Sequence, residues 1–136
     1  ADDCTEMSPL WAEINGALGD DPYAWYWGHV HNGIVYSSPI TIPDSPKAPG
    51  RTTKTYARCS GHASIPYGNS EVLEKLDGKQ IEWRETNKQT GNQELCHGFA
   101  VISITKDDHG TVTKVEEHFF DTSGQSQPVY SKEIFG

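Results

Sequence analysis

Apolar residues recur along this chain at two spacings, and the change from one to the other divides it. Leu10, Trp11, Ile14 and Leu18 fall on one face at the spacing of an amphipathic helix. Ser8 stands where an N-cap hydroxyl accepts from the first turn, and Pro9 follows where a missing N–H costs nothing. Gly19 is placed to end the helix in the left-handed region. The spacing predicts one helix over residues 9–18.

Beyond Gly19 the period shortens to that of strands. Tyr23–Trp27 is an aromatic run with strong strand preference, and Ile34-Val35-Tyr36 reads as a second strand. Asn32-Gly33 between them signals a hairpin, because both residues tolerate positive φ. Residues 37–52 hold four Pro and read as a long irregular loop. Thr53–Cys59 reads as a strand ending at Gly61-His62, and Ser70 is placed to cap a short helix through Glu71, Val72, Leu73 and Leu76. After Gly78 come four strand candidates: Gln80–Glu85, Gly98–Thr105, Val112–Phe120 and Pro128–Ile134. Asp107-Asp108-His109-Gly110 predicts a tight turn between the second and third of these. The sum is an α+β chain, an N-terminal helix followed by a mostly antiparallel sheet, with residues 1–136 as a single domain or a fragment of one.

Charge narrows the range of partners. The net charge is −8, and residues 1–21 hold six carboxylates with no Lys or Arg, so the remainder carries −2. No basic cluster exists to displace counterions from a phosphate backbone, which argues against capture of nucleic acid. The longest apolar runs are four or five residues, too short for a membrane-spanning helix. The acidic start Ala1-Asp2-Asp3 is unlike a secretion signal, so a cytoplasmic location is expected. Cys4, Cys59 and Cys96 are three in number, widely spaced and without a Cys-x-x-Cys pair. They predict free thiols, with Cys59 in the core, and no zinc ribbon.

Gly28-His29-Val30-His31 is the sharpest chemical feature. Two imidazoles at i and i+2 on an extended segment point the same way, and neutral imidazole is a common metal ligand. The block Trp25-Tyr26-Trp27-Gly28-His29-Val30-His31 resembles the last conserved motif of calcineurin-like metallophosphoesterases. Arg58-Cys59-Ser60-Gly61-His62 with Ile65-Pro66-Tyr67-Gly68, and the strand around Gly98-Phe99-Ala100-Val101, resemble further segments of a bacterial subgroup. The resemblance touches most of residues 8–121 and implies the C-terminal half of a metallophosphoesterase β-sandwich. It also implies a centre of two divalent ions (Mn, Fe or Zn) acting on a phosphoester substrate, His29 holding one ion and His31 the other. Arg58 and His62 become candidate substrate-binding residues.

That family's other ligands, an Asp-x-His, a Gly-Asp-x-x-Asp, a Gly-Asn-His-Asp/Glu and a further His, stand upstream of Gly-His-x-His, and none lies among residues 1–28. Two imidazoles do not close a two-metal site. The expectation is therefore a C-terminal portion of a metal-dependent phosphoester hydrolase, inactive without an N-terminal half that these residues lack. The alternative is a non-catalytic binding module on the same scaffold, contacting a partner through the acidic helix and an exposed sheet. For His62 the plain reading is a surface loop residue, and for Arg58 an ion pair with a carboxylate at a sheet edge. His97 and His118 carry no role in either reading.

Overall fold

A computed structural model describes residues 9–28, 31–37, 41–42, 51–52, 55–63, 81–91 and 94–136. Helix α1 spans Pro9–Leu18, as its spacing predicts. Gly19 ends it at φ +73°, its N–H donating to Asn15 O at 2.9 Å. The helix's last apolar residue, Leu18, is exposed rather than packed. The expected helix after Ser70 lies outside the described residues.

The strands are β1 Ala24–Trp27, β2 Gly33–Tyr36, β3 Thr41–Ile42, β4 Arg51–Thr52, β5 Tyr56–Ser60, β6 Ile81–Arg84, β7 Gly98–Lys106, β8 Val112–Asp121 and β9 Tyr130–Phe135. They form a four-stranded sheet of order β1-β5-β2-β6, a small β3-β4 pair within the expected loop, and a three-stranded sheet β7-β8-β9. Every pairing is antiparallel except β1 with β5. Among the described residues the chain is predominantly strand, with one short helix.

One expectation needs correction. β1 and β2 do not form a hairpin, because β5 lies between them and pairs with both. Gly33 is paired with Ser60 inside the sheet, and its φ is not among the positive ones. What requires a glycine there is a close approach. A Cβ on Gly33 would stand 2.8 Å from His62 Cε1. By contrast, the turn at 107–110 forms as predicted. Asp107 Oδ1 accepts from the N–H groups of His109 and Thr111, and Gly110 sits at φ +82°.

The pleat gives the four-stranded sheet two different faces. Ile34 and Cys59 point to one side and form a core with Leu95, flanked by Trp27, Tyr36 and Ile81. Val35, Arg58 and Trp83 are cross-strand neighbours on the other side. There they meet the three-stranded sheet. Phe119 is fully buried, with ring centroids 5.1 Å from Trp83 and 6.0 Å from Tyr130.

Candidate functional site

The strand order carries both ends of the His-x-His segment to one rim. β1 runs parallel to β5 and β2 runs antiparallel to it, so β1 finishes and β2 begins beside the carboxyl end of β5. Residues 28–32 join strands that are two strand spacings apart, roughly 10 Å. Gly28 is packed against Gly61, and Asn32 O accepts from Gly61 N–H at 3.0 Å. Glu85, just past β6, donates its N–H to Gly33 O. His31, Asn32, His62 and Glu85 therefore share one end of the sheet. His31 is half-buried, and His29 lies outside the described residues.

His62 is not a surface residue, because only 3% of it is exposed. Its ring lies between two glycines. A Cβ on Gly98 would stand 2.1 Å from Nε2, closer still than the 2.8 Å at Gly33. The ring also stacks on Phe119, with centroids 6.5 Å apart at 19°. Burial lowers its pKa to about 4, with the nearby Asp121 carboxylate pulling the other way. His62 is thus a neutral imidazole at neutral pH, able to hydrogen-bond a ligand but not to attract one by charge. Neither ring nitrogen finds a partner among the described residues. The same holds for Asn32 Oδ1 and Glu85 Oε2.

Glu85 and Asp121 form the acidic side of this rim. Asn87 bridges them, its N–H donating to Glu85 Oε1 and its Nδ2 to Asp121 Oδ2, each at 2.7 Å. Burial raises the Glu85 pKa to about 7, and the Asp121 charge adds to the rise. Burial also works against Asp121, but hydrogen bonds from Ser123 and Asn87 outweigh it and hold that carboxyl below its usual value. Two carboxylates so placed cannot both ionise cheaply, which favours a proton on Glu85 over one on Asp121.

Arg58 sits deeper, on the face between the sheets, and is central rather than at a sheet edge. Its side chain and that of Glu117 are both fully buried, with Nη2 to Oε1 at 2.6 Å and Nε to Oε2 at 2.8 Å. Nη1 donates to the carbonyls of Tyr36 and Ala57, and Tyr26 OH donates to Glu117 Oε2 at 2.7 Å. The guanidinium is committed inside the protein, so a phosphate would reach it only by displacing Glu117.

Among the described residues, no three His, Cys, Asp or Glu side chains converge to hold a metal ion. A depression of about 260 Å³ adjoins the acidic side of the rim, lined by Lys88, Gln89, Thr90, Cys96, Thr122 and Ser123. His118 Nδ1 lies 2.9 Å from Ser131 Oγ, away from the rim. No helix among the described residues is long and apolar enough to cross a membrane. No family model, curated protein or solved structure matches the chain.

Sequence reasoning missed Glu117, Glu85 and Asp121. Two of them had a signal. Glu117 stands at period two with Val115 and Phe119, and Glu85 with Trp83, so each acid follows apolar residues along one face. An acid in that position needs a buried partner.

Proposed function

We propose that this chain is the C-terminal portion of a metal-dependent phosphoester hydrolase of the calcineurin-like type. His29 and His31 each hold one of two divalent ions, Mn, Fe or Zn, and the remaining ligands come from an N-terminal half. The observation that carries this reading is that β1 ends and β2 begins at the carboxyl end of β5, so Gly28 and His31 stand at one rim, where ligands from several strands can meet. The donor chemistry fits, since neutral imidazole suits all three metals. The number of donors does not complete a site. When bound, such ions activate water as a nucleophile and offset charge on phosphate oxygens.

The chain's own part is positional. Gly61 N–H fixes Asn32 at the end of the motif. His62, uncharged, offers the rim a hydrogen-bonding imidazole. Arg58 does not touch substrate in this reading but ties the site-bearing sheet to its neighbour.

The test is hydrolysis of an aryl phosphate with added manganese, using this chain alone and a protein that supplies the missing half. The short chain is expected to be inactive. In the completed protein His29→Ala and His31→Ala each abolish turnover and lower bound metal, while circular dichroism is unchanged. Metal-dependent turnover by the short chain, or full turnover in either variant, sinks the proposal. A binding module on the same scaffold remains the second reading, favoured by the apolar residues exposed along β7.

A further inference from the structure

Two acids, one from each sheet, meet at the rim. Glu85 stands just past β6 of the four-stranded sheet, and Asp121 closes β8 of the three-stranded one. Glu85 is buried, and its carboxyl hydrogen-bonds that of Asp121. A hydrogen bond between two carboxyl groups requires a proton on one of them. The surrounding chain orients both partners. Asn87 donates its N–H to Glu85 Oε1 and its Nδ2 to Asp121 Oδ2, while Ser123 donates its N–H and hydroxyl to Asp121 Oδ1.

The pair lies beside a backbone bond that joins the sheets. Gly98 is the register partner of Asp121, and its N–H donates to His62 O. On the other side, Glu85 N–H donates to Gly33 O. The His62 ring is packed between these two glycines, one from each sheet. Drawing Glu85 away from Asp121 therefore draws apart the two walls that enclose His62.

Among the described residues, the other titratable groups near the pair are His62 after β5, Cys96 and His97 before β7, and Lys88 in the adjoining depression. β2 faces it with Gly33, which has no side chain. Burial keeps the His62 ring and the Cys96 thiol uncharged at neutral pH, so neither offsets a second negative charge.

We propose that Glu85 and Asp121 are a proton-held latch: while they share a proton the sheets stay closed at the rim, and once both are ionised the sheet ends part there and admit solvent to His62. The proton passes to solvent, and like charges in a buried site then repel. The inference stands apart from the metal-site reading, since neither acid is one of its ligands.

The experiment is carbethoxylation of His62 by diethyl pyrocarbonate, read on the peptide that carries it. The reagent takes neutral imidazole, and His62, which titrates at about 4, is neutral across the range used, so its labelling reports access. Glu85 titrates at about 7. Its ionised fraction therefore climbs from about a tenth at pH 6 to nearly all at about pH 8.5, and labelling corrected for reagent decay should rise roughly tenfold. Protection of the Gly98 amide against hydrogen exchange should fall over the same range. That of Tyr56, bonded to Tyr23 O at the far end of the four-stranded sheet, should hold. Glu85→Gln keeps a hydrogen bond to Asp121 without the titration, and Asp121→Asn removes the repulsion. In each variant whose circular dichroism matches the parent, labelling should stay low at both pH values. Labelling that is flat in the parent, that rises as much in such a variant, or that rises together with loss of Tyr56 protection overturns the proposal.

Discussion

The seam between the two sheets with its rim, and the outer half of β7, reverse the usual placing of residues. Seam and rim together bury an arginine, two glutamates, a histidine and an asparagine, while the strand leaves Val101, Ile102 and Ile104 in water. Buried polar groups are tolerable only when partnered, and Arg58–Glu117 shows the partnering carried through. At the rim it is incomplete, since Asn32, His62 and Glu85 keep polar atoms that no described group satisfies. The ion pair holds the sheets together, and the unsatisfied groups lie where the sheet ends. That contrast separates a structural polar cluster from one with capacity left for water or a ligand.

The largest expected effect comes from breaking the structural cluster. Glu117→Ala leaves the Arg58 guanidinium buried without its counter-charge, a loss of about 3–5 kcal/mol. Replacing Arg58 by Met, Glu117 by Leu and Tyr26 by Phe together should recover most of it, because the unpaired charge and hydroxyl go with the pair. Urea unfolding midpoints decide the matter. An additive triple variant would mean that the pair is not a unit.

Next is the glycine notch. A Cβ at Gly98 meets both the His62 ring and the Phe120 carbonyl, at 2.1 and 2.4 Å. Gly98→Ala should cost about 1–3 kcal/mol. Adding His62→Ala should return part of that and not all, since the carbonyl remains. If the second change returns nothing, the ring is not where the structure puts it.

The smallest effects are those of pH, and two groups pull in opposite directions. Glu85 titrates at about 7 in the folded chain against an ordinary 4.5, so the unfolded state ionises first. Its contribution lowers stability as pH rises from about 4.5 to 7. His62 titrates at about 4 against 6.5, so the unfolded state takes up the proton first on acidification. Its contribution lowers stability as pH falls from 6.5 to about 4. The two offset between pH 4.5 and 6.5. Glu85→Gln should leave stability rising with pH across that window, and His62→Gln should leave it falling, each by at most about 1.4 kcal/mol per pH unit. Identical pH profiles for the two variants would contradict both assignments.

Much of this fold was legible in the sequence, for identifiable reasons. The spacing of Leu10, Trp11, Ile14 and Leu18, with Gly19 behind it, places α1 at its observed bounds. Alternation marks β6, β8 and β9 to within a few residues, whereas β7 shows as a run of strand-favouring residues exposed on both faces. The order of strands was not legible. Asn32-Gly33 carries a local hairpin signal, but insertion of β5 between β1 and β2 is a long-range pairing that no local pattern encodes. The site was half legible. Gly28, His31 and His62 stand at one rim, yet the burial of His62 and the capture of Arg58 by Glu117 depend on the facing sheet, about sixty residues further along.

The central claim is that the Gly28–Asn32 segment, not the acidic turn at 107–110 or the outer part of β7, is where this chain meets a divalent ion. Sub-stoichiometric Mn²⁺ added to the ¹⁵N-labelled chain tests it, because a paramagnetic ion broadens amide signals near it. The account predicts selective loss at His31, Asn32, Gly61 and His62, with Ile104 and Asp108 untouched, and recovery of those signals in a His29→Ala, His31→Ala double variant. Broadening centred on Asp107 and Asp108, or a pattern that persists unchanged in the double variant, would contradict it.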